Sequence, residues 1–220
     1  MNKLFQLQLA RLNVLRKGVW FVDIPRTLSS SISSEMGKAF GAPYAKSNLI
    51  DEEYAVMQVF PVHMSSVAAR DALGRFIWDR IYTFSMVRNP WDRIFSLYNY
   101  RVKVGNISKE LSFRDYVLAM ADEKSNNKLF KYHGFSFGSS DYLTDESGSI
   151  IVDFVARYEN RAEDLKIISS RLGNISLGSL HIQRATPLGS RYLSAYDSDT
   201  KKVIEKLFSK DIELFGYSFK

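Results

Sequence analysis

The chain has 220 residues, of which 45% are hydrophobic and 25% charged, as in an ordinary globular protein. It contains no cysteine, which excludes disulfides, thiolate metal sites and cysteine nucleophiles. Its three histidines lack the close spacing of a zinc site, so we expect no metal. The net charge of +6 favours an anionic partner, but the basic residues are scattered along the chain and do not indicate a nucleic-acid-binding arm.

We expect residues 1–220 to form one domain, because a chain of this length can build a single sizeable core. Residues 1–17 form the N-terminal extension of that domain and have the pattern of a short amphipathic helix. Polar residues such as Gln6, Gln8 and Arg11 interrupt its apolar positions. This interruption argues against a signal peptide and against a membrane-spanning segment.

Strand and helix patterns alternate along the chain. Short runs rich in β-branched and aromatic residues predict strands at 19–24, 56–62, 81–87 and 150–156, with a shorter one near 177–181. Helical spacing predicts helices at 30–40, from Ser65 or Ser66 to 73, from Pro90 onward, at 112–121, at 159–172 and at 197–209. Residues 42–55 and 123–148 have irregular, loop-rich patterns. The alternation predicts an α/β fold in which helices flank a mainly parallel central sheet.

The first candidate site is the segment 25-PRTLSSS-31, which joins the first predicted strand to a helix. A helix N-terminus favours an anion because its N–H groups are unpaired and its dipole is positive there. Arg26 adds a charged donor. The other donors are hydroxyl groups, on Thr27, Ser29, Ser30 and Ser31. The same residues also suit a plain N-cap with a serine-rich turn, and this segment alone does not decide between the two.

The second candidate site lies in 84-FSMVRNPWDRIFSLYNY-100. Arg88 follows a predicted strand, and Ser96 lies eight residues later, about two turns along the next helix. Because ligand sites of parallel sheets lie at the carboxyl ends of the strands, both side chains can reach a groove beside the first segment. Alone, the pair would be a surface arginine and an ordinary helical serine. Two such strand ends in one small chain favour a pair of anion sites.

These segments resemble the motifs of the sulfotransferases that use 3′-phosphoadenosine 5′-phosphosulfate (PAPS), in particular the carbohydrate-type branch, which is similar to sulfotransferase family 2. The first loop of that family runs like P-K-T-x-G-T-S, and here it is 25-PRTLSSS-31. The second motif runs like V-R-N-P-x-D-R-x-x-S-x-Y, and 87-VRNPWDRIFSLY-98 is nearly complete. Weaker similarities are 155-VARYENRAEDL-165 and 211-DIELFGYSF-219, so the resemblance spans nearly the whole chain.

The resemblance implies a P-loop-NTPase-like sulfotransferase fold and a metal-free transfer of the sulfuryl group from PAPS to an acceptor hydroxyl, with a carbohydrate as the expected acceptor. The 5′-phosphosulfate would lie on the first loop and the 3′-phosphate on the second motif. The implied cofactor-binding residues are Arg26, Thr27, Ser29, Ser30, Ser31, Arg88 and Ser96. Arg26 stands where the family has a lysine that stabilises the leaving phosphate. A guanidinium can stabilise that charge, but it cannot donate a proton at neutral pH.

The base that takes the acceptor proton is expected to be His63, in 59-VFPVHMSS-66. The carbohydrate branch often places a histidine in this stretch, and an imidazole titrates near neutral pH. Alternatively, His63 only caps the helix that starts near Ser65. Other candidate bases are Glu52, Glu53 and Glu159, although Glu159 also suits a role in anchoring its loop beside Arg157. His133 is expected to contact substrate or solvent, and His181 is expected to be structural.

Two other functions remain open on the sequence. A non-catalytic nucleotide-binding relative is favoured by Arg26 and by the absence of glycine from the first loop. The second open function is that of a small nucleotide kinase or another phosphoryl-transfer enzyme. Such an enzyme needs a lysine-bearing glycine loop and an acidic magnesium ligand, and Arg26 followed by serines does not meet the first requirement. We expect a cytoplasmic protein of bacterial or phage-like source, with no nucleic-acid partner and no membrane span. The sequence indicates neither the identity of the acceptor nor the oligomeric state.

Overall fold

A computed structural model describes residues 3–41, 60–61, 63–121, 138–173, 175, 177 and 190–220. Within these ranges the sheet has three strands: β1 (Val19–Val22), β2 (Tyr82–Val87) and β3 (Phe154–Arg157). They pair in the order β1-β2-β3, and both pairings are parallel, with Val19 opposite Tyr82 and Phe84 opposite Phe154. The carboxyl ends of the three strands therefore meet at one edge of the sheet.

Helices precede, connect and follow these strands. They are α1 (Lys3–Lys17), α2 (Ser29–Phe40), α3 (Ser66–Leu73), α4 (Arg75–Trp78), α5 (Pro90–Lys103), α6 (Phe113–Ala121), α7 (Ser139–Leu143), α8 (Arg161–Arg171), α9 (Ser190–Leu193), α10 (Ser198–Leu207) and α11 (Ser209–Phe215). A 3₁₀ turn, Tyr158–Asn160, separates β3 from α8. No helix of the described ranges is both long and apolar enough to cross a membrane.

Alternate residues of β1 point to opposite faces of the sheet, and both faces are buried. Val19 and Phe21 belong to a core that also contains Ile32 of α2 and Ile168 of α8. Trp20 and Val22 belong to a second core, with buried side chains of α1, α3, α4, α7 and α11. Burial on both faces explains why β1 is continuously apolar, as parallel strands usually are.

A third core forms beside the sheet, between α5, α6, α9, α10 and the C-terminal residues. It is largely aromatic, with Trp91, Tyr116 and Tyr196 buried and Phe219 packed edge-on against Trp91 and Tyr196. Edge-on packing is a favoured geometry for aromatic rings. This cluster holds α5, which carries the second candidate motif, against the end of the chain.

Arg93 of α5 and Asp211 of α11 are both buried in this region, with Arg93 Nη1 3.8 Å from Asp211 Oδ2. The Asp211 carboxylate also accepts hydrogen bonds from the backbone N–H groups of Ser139 and Ser140 and from the Ser140 hydroxyl. It thereby satisfies the free N–H groups at the start of α7. Position 138 has to be glycine, because a Cβ there would lie 2.5 Å from Asp211 Oδ1.

The predicted α/β class with a parallel sheet flanked by helices is confirmed. Most element bounds differ by one or two residues, as for β1 and β2. The α3 helix is predicted correctly, and its N-cap is Ser65, whose hydroxyl accepts a hydrogen bond from Ala68 N. The likeness to P-loop NTPases and the single-domain organisation stay predictions.

The structure corrects the predictions for 138–157 and for the end of the chain. Residues 139–143 form α7 instead of a loop, because the cap of that helix comes from Asp211. The strand predicted at 150–156 is Phe154–Arg157; Ile150 instead forms an antiparallel bridge with Thr144. The strand begins only after Asp153, whose carboxylate accepts hydrogen bonds from both Thr83 N and Thr83 Oγ1. The predicted helix at 197–209 corresponds to α10, and the sequence patterns do not predict the following helix, α11.

Several predictions fall on residues outside the described ranges. These include the irregular segment 42–55, most of the strand predicted at 56–62 and most of the short strand near 177–181. Of the range 56–62 only Phe60 and Pro61 are described, and neither lies in a strand. The first part of the predicted irregular segment 123–148 is likewise outside the described ranges.

Replacing Asp211 by alanine should strongly destabilise the protein. The substitution leaves the Arg93 charge uncompensated and removes the acceptor of the α7 N–H groups, and breaking a buried pair from one side costs about 3–5 kcal/mol. The free energy of unfolding in urea measures the effect. Asp199→Ala is the matched control, because Asp199 pairs with Arg114 at the exposed surface and should change little. A urea midpoint equal to that of the wild type in Asp211→Ala would contradict this role.

Candidate functional site

The first loop, residues 23–28, leads from the end of β1 to the start of α2. Two of its residues, Arg26 (φ 69°) and Leu28 (φ 75°), have left-handed backbone conformations, whereas Thr27 between them does not. Such a conformation costs about 1–3 kcal/mol in a residue other than glycine. Left-handed residues are a component of the backbone turns that form concave anion sites in proteins. Here Arg26 and Leu28 occupy left-handed positions at which glycine is the usual residue.

The start of α2 adds further donors to this loop. Leu28 occupies the N-cap position, and its apolar side chain cannot accept a hydrogen bond from the first turn. Among the hydroxyl residues, Thr27 is fully buried and its hydroxyl donates to Ile24 O at 2.8 Å, which closes the turn. Ser29 is buried, Ser31 is half-buried and Ser30 is exposed. The helix start therefore has no side-chain cap from its N-cap residue.

Arg26 reaches from the first loop to α5. Its Nε and Nη2 atoms donate to the Ser96 hydroxyl at 3.2 and 2.9 Å, and its guanidinium lies 4.7 Å from the centre of the Tyr100 ring. The structure thereby brings together Arg26 and Ser96, which the sequence assigned to separate segments. Burial, and then the nearby charge of Arg88, lower the pKa of Arg26.

Arg88, directly after β2, points back to the same loop. Its Nη1 donates to Arg26 O at 3.1 Å, its Nε to Asp92 Oδ2 at 2.8 Å, and its guanidinium lies 4.0 Å from the centre of the Tyr158 ring. The Arg88 guanidinium thus contacts the backbone of Arg26 at the edge where β1 and β2 end, and its positive charge acts on the Arg26 guanidinium. We call the group formed by Arg26, Arg88 and Ser96 the arginine cluster. Like charges repel, so an anion placed between them is favoured.

Arg93 supports the loop from behind, since its Nε donates to Pro25 O at 3.2 Å. The carbonyl groups of Pro25 and Arg26 are thus both held by arginines that follow β2. In a trans peptide the N–H group points opposite to the carbonyl. The N–H groups of Arg26 and Thr27 are therefore directed away from those arginines.

His63 lies at the end of β1, beside the first residue of the first loop. Its Nδ1 is 3.0 Å from the backbone oxygen of Asp23 and 3.1 Å from Asp23 Oδ1. Both side chains are mostly buried, with 19% of His63 and 15% of Asp23 exposed. His63 also has a left-handed backbone, with φ 60°. It does not cap α3, because Ser65 does so.

A cavity of about 620 Å³ opens beside the arginine cluster, at the carboxyl ends of β2 and β3. Asp92, which pairs with Arg88, forms part of its wall together with Arg157, Glu159 and Tyr217. Small-molecule sites have volumes of about 300–1,000 Å³. The cavity is thus large enough for a small organic ligand.

Glu159 is tied into the structure and does not stand free as a base. One carboxylate oxygen accepts from Asn89 N at 2.7 Å and the other from Tyr217 OH at 3.2 Å. Arg157 is similarly occupied, donating to Phe215 O. These contacts support the anchoring role considered for Glu159.

Other candidates from the sequence lie outside the described residues, namely Glu52, Glu53, His133 and His181. Within the described ranges no group of three or more histidine or acidic side chains has the arrangement of a metal site. Sequence reasoning missed Asp23 and Asp92. The acidic Asp23 within the otherwise apolar run 19–24, and the i,i+4 spacing of Arg88 and Asp92, were the signals that could have identified them.

Comparison with known proteins gives one family and one partial relative. A sequence profile of the Sulfotransferase family matches residues 16–218, nearly the whole chain. An uncharacterized protein from Archaeoglobus fulgidus is 31% identical over 106 residues, which cover 47% of this chain and 78% of that protein. No solved structure gives a significant match.

Sulfate should stabilise the protein through the arginine cluster. At low millimolar concentration and constant ionic strength, replacing chloride by sulfate should raise the melting temperature of the wild type, because the divalent anion relieves repulsion between Arg26 and Arg88. The rise should disappear in the Arg26→Gln/Arg88→Gln double variant. Arg75→Gln is the control, since Arg75 is exposed on α4 and should leave the rise intact. An equal rise in all three proteins would show only the general effect of sulfate on protein surfaces.

Proposed function

Because the chain belongs to the sulfotransferase family, we propose that it transfers the sulfuryl group of PAPS to a hydroxyl group, with a carbohydrate as the preferred acceptor. The observation that carries this proposal is the convergence of Arg26 and Arg88 at the carboxyl ends of two neighbouring parallel strands. Beside them lies a helix start that has no side-chain cap. This arrangement suits a ligand with two phosphate-like groups.

In this proposal the 5′-phosphosulfate binds to the first loop and the 3′-phosphate to Arg88 and Ser96. Ser30 and Ser31 contribute hydroxyl groups at the start of α2. Thr27 and Ser29, whose side chains are buried, contribute through the backbone. Arg26 now donates to the neutral Ser96 hydroxyl, and a charge-assisted bond to a phosphate is about twice as strong as such a neutral bond. It is therefore favourable for Arg26 to exchange its hydrogen bond to the Ser96 hydroxyl for one to the anion.

The proposed chemistry is an in-line displacement at sulfur. The acceptor oxygen forms a bond to sulfur while the bond between sulfur and the phosphate oxygen breaks, and the electron pair stays on the phosphate. Arg26 stabilises this developing negative charge. His63 accepts the proton of the acceptor hydroxyl as the general base. No metal is needed for these steps, since the arginines supply the positive charge.

Arg26 in place of the family lysine favours a second candidate, a non-catalytic protein that only binds the nucleotide. The two candidates agree on binding and differ on turnover. A phosphoryl-transfer enzyme is less consistent with the residues, because the first loop has neither the glycines nor the lysine of a P-loop. Binding and turnover therefore have to be measured separately.

The proposed function predicts which nucleotides the protein binds. Calorimetric titration should show micromolar binding of 3′-phosphoadenosine 5′-phosphate, the desulfated product, without metal, and little binding of magnesium-ATP. Arg88→Ala should weaken binding of the bisphosphate at least about tenfold, because it removes a charged phosphate contact. Arg75→Ala, which removes an exposed arginine of α4, should bind as the wild type does. Preference for magnesium-ATP, or no binding of the bisphosphate, would exclude the proposed function.

The proposed function also predicts the effect of removing the general base, His63. His63→Gln should reduce the turnover number about 10²-fold or more, since general-base catalysis contributes about 10²–10⁴-fold. Affinity for the desulfated nucleotide should stay nearly unchanged, because His63 Nδ1 lies against Asp23 and the proposed phosphate contacts come from the first loop, Arg88 and Ser96. Turnover is measured with radiolabelled PAPS and an acceptor found by screening polysaccharides and simple sugars. Undiminished turnover in His63→Gln would assign the base to another residue, and no turnover with any acceptor would favour the non-catalytic candidate.

A further inference from the structure

We propose that Asp23 is a positioning residue for His63, which it holds with the proton on Nδ1 so that the lone pair that takes the acceptor proton is on Nε2. This inference rests on the proposed function for its catalytic meaning. Its geometric part concerns only the contact between His63 and Asp23. Neither the sequence patterns nor the family match assigns a role to Asp23.

Two oxygen atoms of Asp23 face one nitrogen of His63. The backbone oxygen is 3.0 Å from Nδ1 with the geometry of a hydrogen bond, and Oδ1 lies 3.1 Å from the same nitrogen as an ion-pair contact that lacks hydrogen-bond geometry. A carbonyl oxygen and an ionised carboxylate can only accept hydrogen bonds. Nδ1 therefore has to be the donor, and in a neutral imidazole the other nitrogen then carries the lone pair.

The position of Asp23 connects the base to the anion site. Asp23 is the first residue after β1, and the following loop closes through the bond from the Thr27 hydroxyl to Ile24 O. Val22, just before Asp23, is paired with Ser85 of β2, and its backbone oxygen accepts from the Ser85 hydroxyl at 2.7 Å. The oxygens that hold His63 are thus fixed relative to the first loop, and the imidazole is fixed with them.

The backbone of His63 supports a specific placement. His63 has a left-handed conformation with φ 60°, which is uncommon outside glycine, although histidine adopts it more often than most residues do. In this conformation its ring lies against the end of β1, in contact with Asp23.

The carboxylate has a further effect during the reaction. When the acceptor oxygen bonds to sulfur, its proton moves to Nε2, and the imidazole becomes a cation with a proton on each nitrogen. The sulfur–oxygen bond to the phosphate breaks in the same step, and the proton later passes to solvent. Asp23 stabilises the imidazolium, because a carboxylate next to Nδ1–H favours the charged ring, as in hydrolases with a carboxylate–histidine pair.

The first arm of the test needs no substrate. Protein labelled with ¹⁵N-histidine is examined by long-range ¹H–¹⁵N correlation at a pH at which the imidazole is neutral, and the His63 signals are assigned by their loss in His63→Gln. We expect the tautomer with the proton on Nδ1. A proton on Nε2, or an even mixture of both tautomers, would overturn the inference whatever the activity of the protein.

The second arm separates positioning from mere stability. Asp23→Asn should lower kcat about 10- to 100-fold, within the contribution of the base itself, while KM for PAPS and affinity for the desulfated nucleotide stay within about twofold of the wild type. Asp23→Glu should recover part of kcat. In the His63→Gln background, Asp23→Asn should cause no further loss, since residues that act as one unit are not additive. Wild-type kcat in Asp23→Asn, or full additivity with His63→Gln, would overturn the role.

The two arms also distinguish failure of the inference from failure of the proposed function. Absence of binding of the desulfated nucleotide to the wild type would exclude the proposed function, and the tautomer would still report on the contact between Asp23 and His63. A protein that binds the nucleotide but shows the wrong tautomer would keep the proposed function and lose only the role of Asp23.

Discussion

Arg93 is completely buried, so its charge has to be met by groups inside the protein. Desolvation lowers its pKa, an effect that Asp211 opposes. A further partner is Pro25 O in the first loop, to which Nε donates. Because an uncompensated buried charge is strongly unfavourable, α5, α11 and the first loop are restrained relative to one another. The conformation of the first loop thus depends on a carboxylate near the far end of the chain, and Asp211 also caps α7.

This constraint explains how a loop without glycine keeps the backbone conformation on which the proposed anion site depends. With Pro25 O and Arg26 O held by Arg93 and Arg88, the loop keeps the left-handed conformations at Arg26 and Leu28. Glycine would adopt these conformations without cost, but it would also adopt many others. Here the backbone is held by charged hydrogen bonds from the next strand–helix unit instead. The strain in the loop is compensated by contacts that also bring a positive charge, that of Arg88, to the site.

The sequence predicted the parts of this arrangement that follow from local pattern and from the geometry of parallel strands. Strands β1 and β2, the serine-rich helix start, and Arg88 at a strand end all follow from periodicity and position. The contact between Arg26 and Ser96 does not, because it depends on how α5 crosses the first loop. Helix α7 was missed for a similar reason, since its cap comes from Asp211, about 70 positions later. Asp23 was missed because its partner lies 40 residues away and no local motif joins the two.

Arginine at position 26 has a consequence for the division of labour in the proposed site. Its planar group reaches two places at once, with two nitrogens on Ser96 and its face toward Tyr100, which a lysine ammonium cannot do in the same way. A guanidinium stays protonated at neutral pH even when burial lowers its pKa, so Arg26 can stabilise a leaving phosphate but cannot protonate it. In the proposed mechanism the leaving phosphate stays unprotonated, and the proton of the acceptor hydroxyl is taken by His63, which lies against Asp23. On this view charge stabilisation and proton transfer are carried by separate residues, both fixed to the end of the same strand, β1.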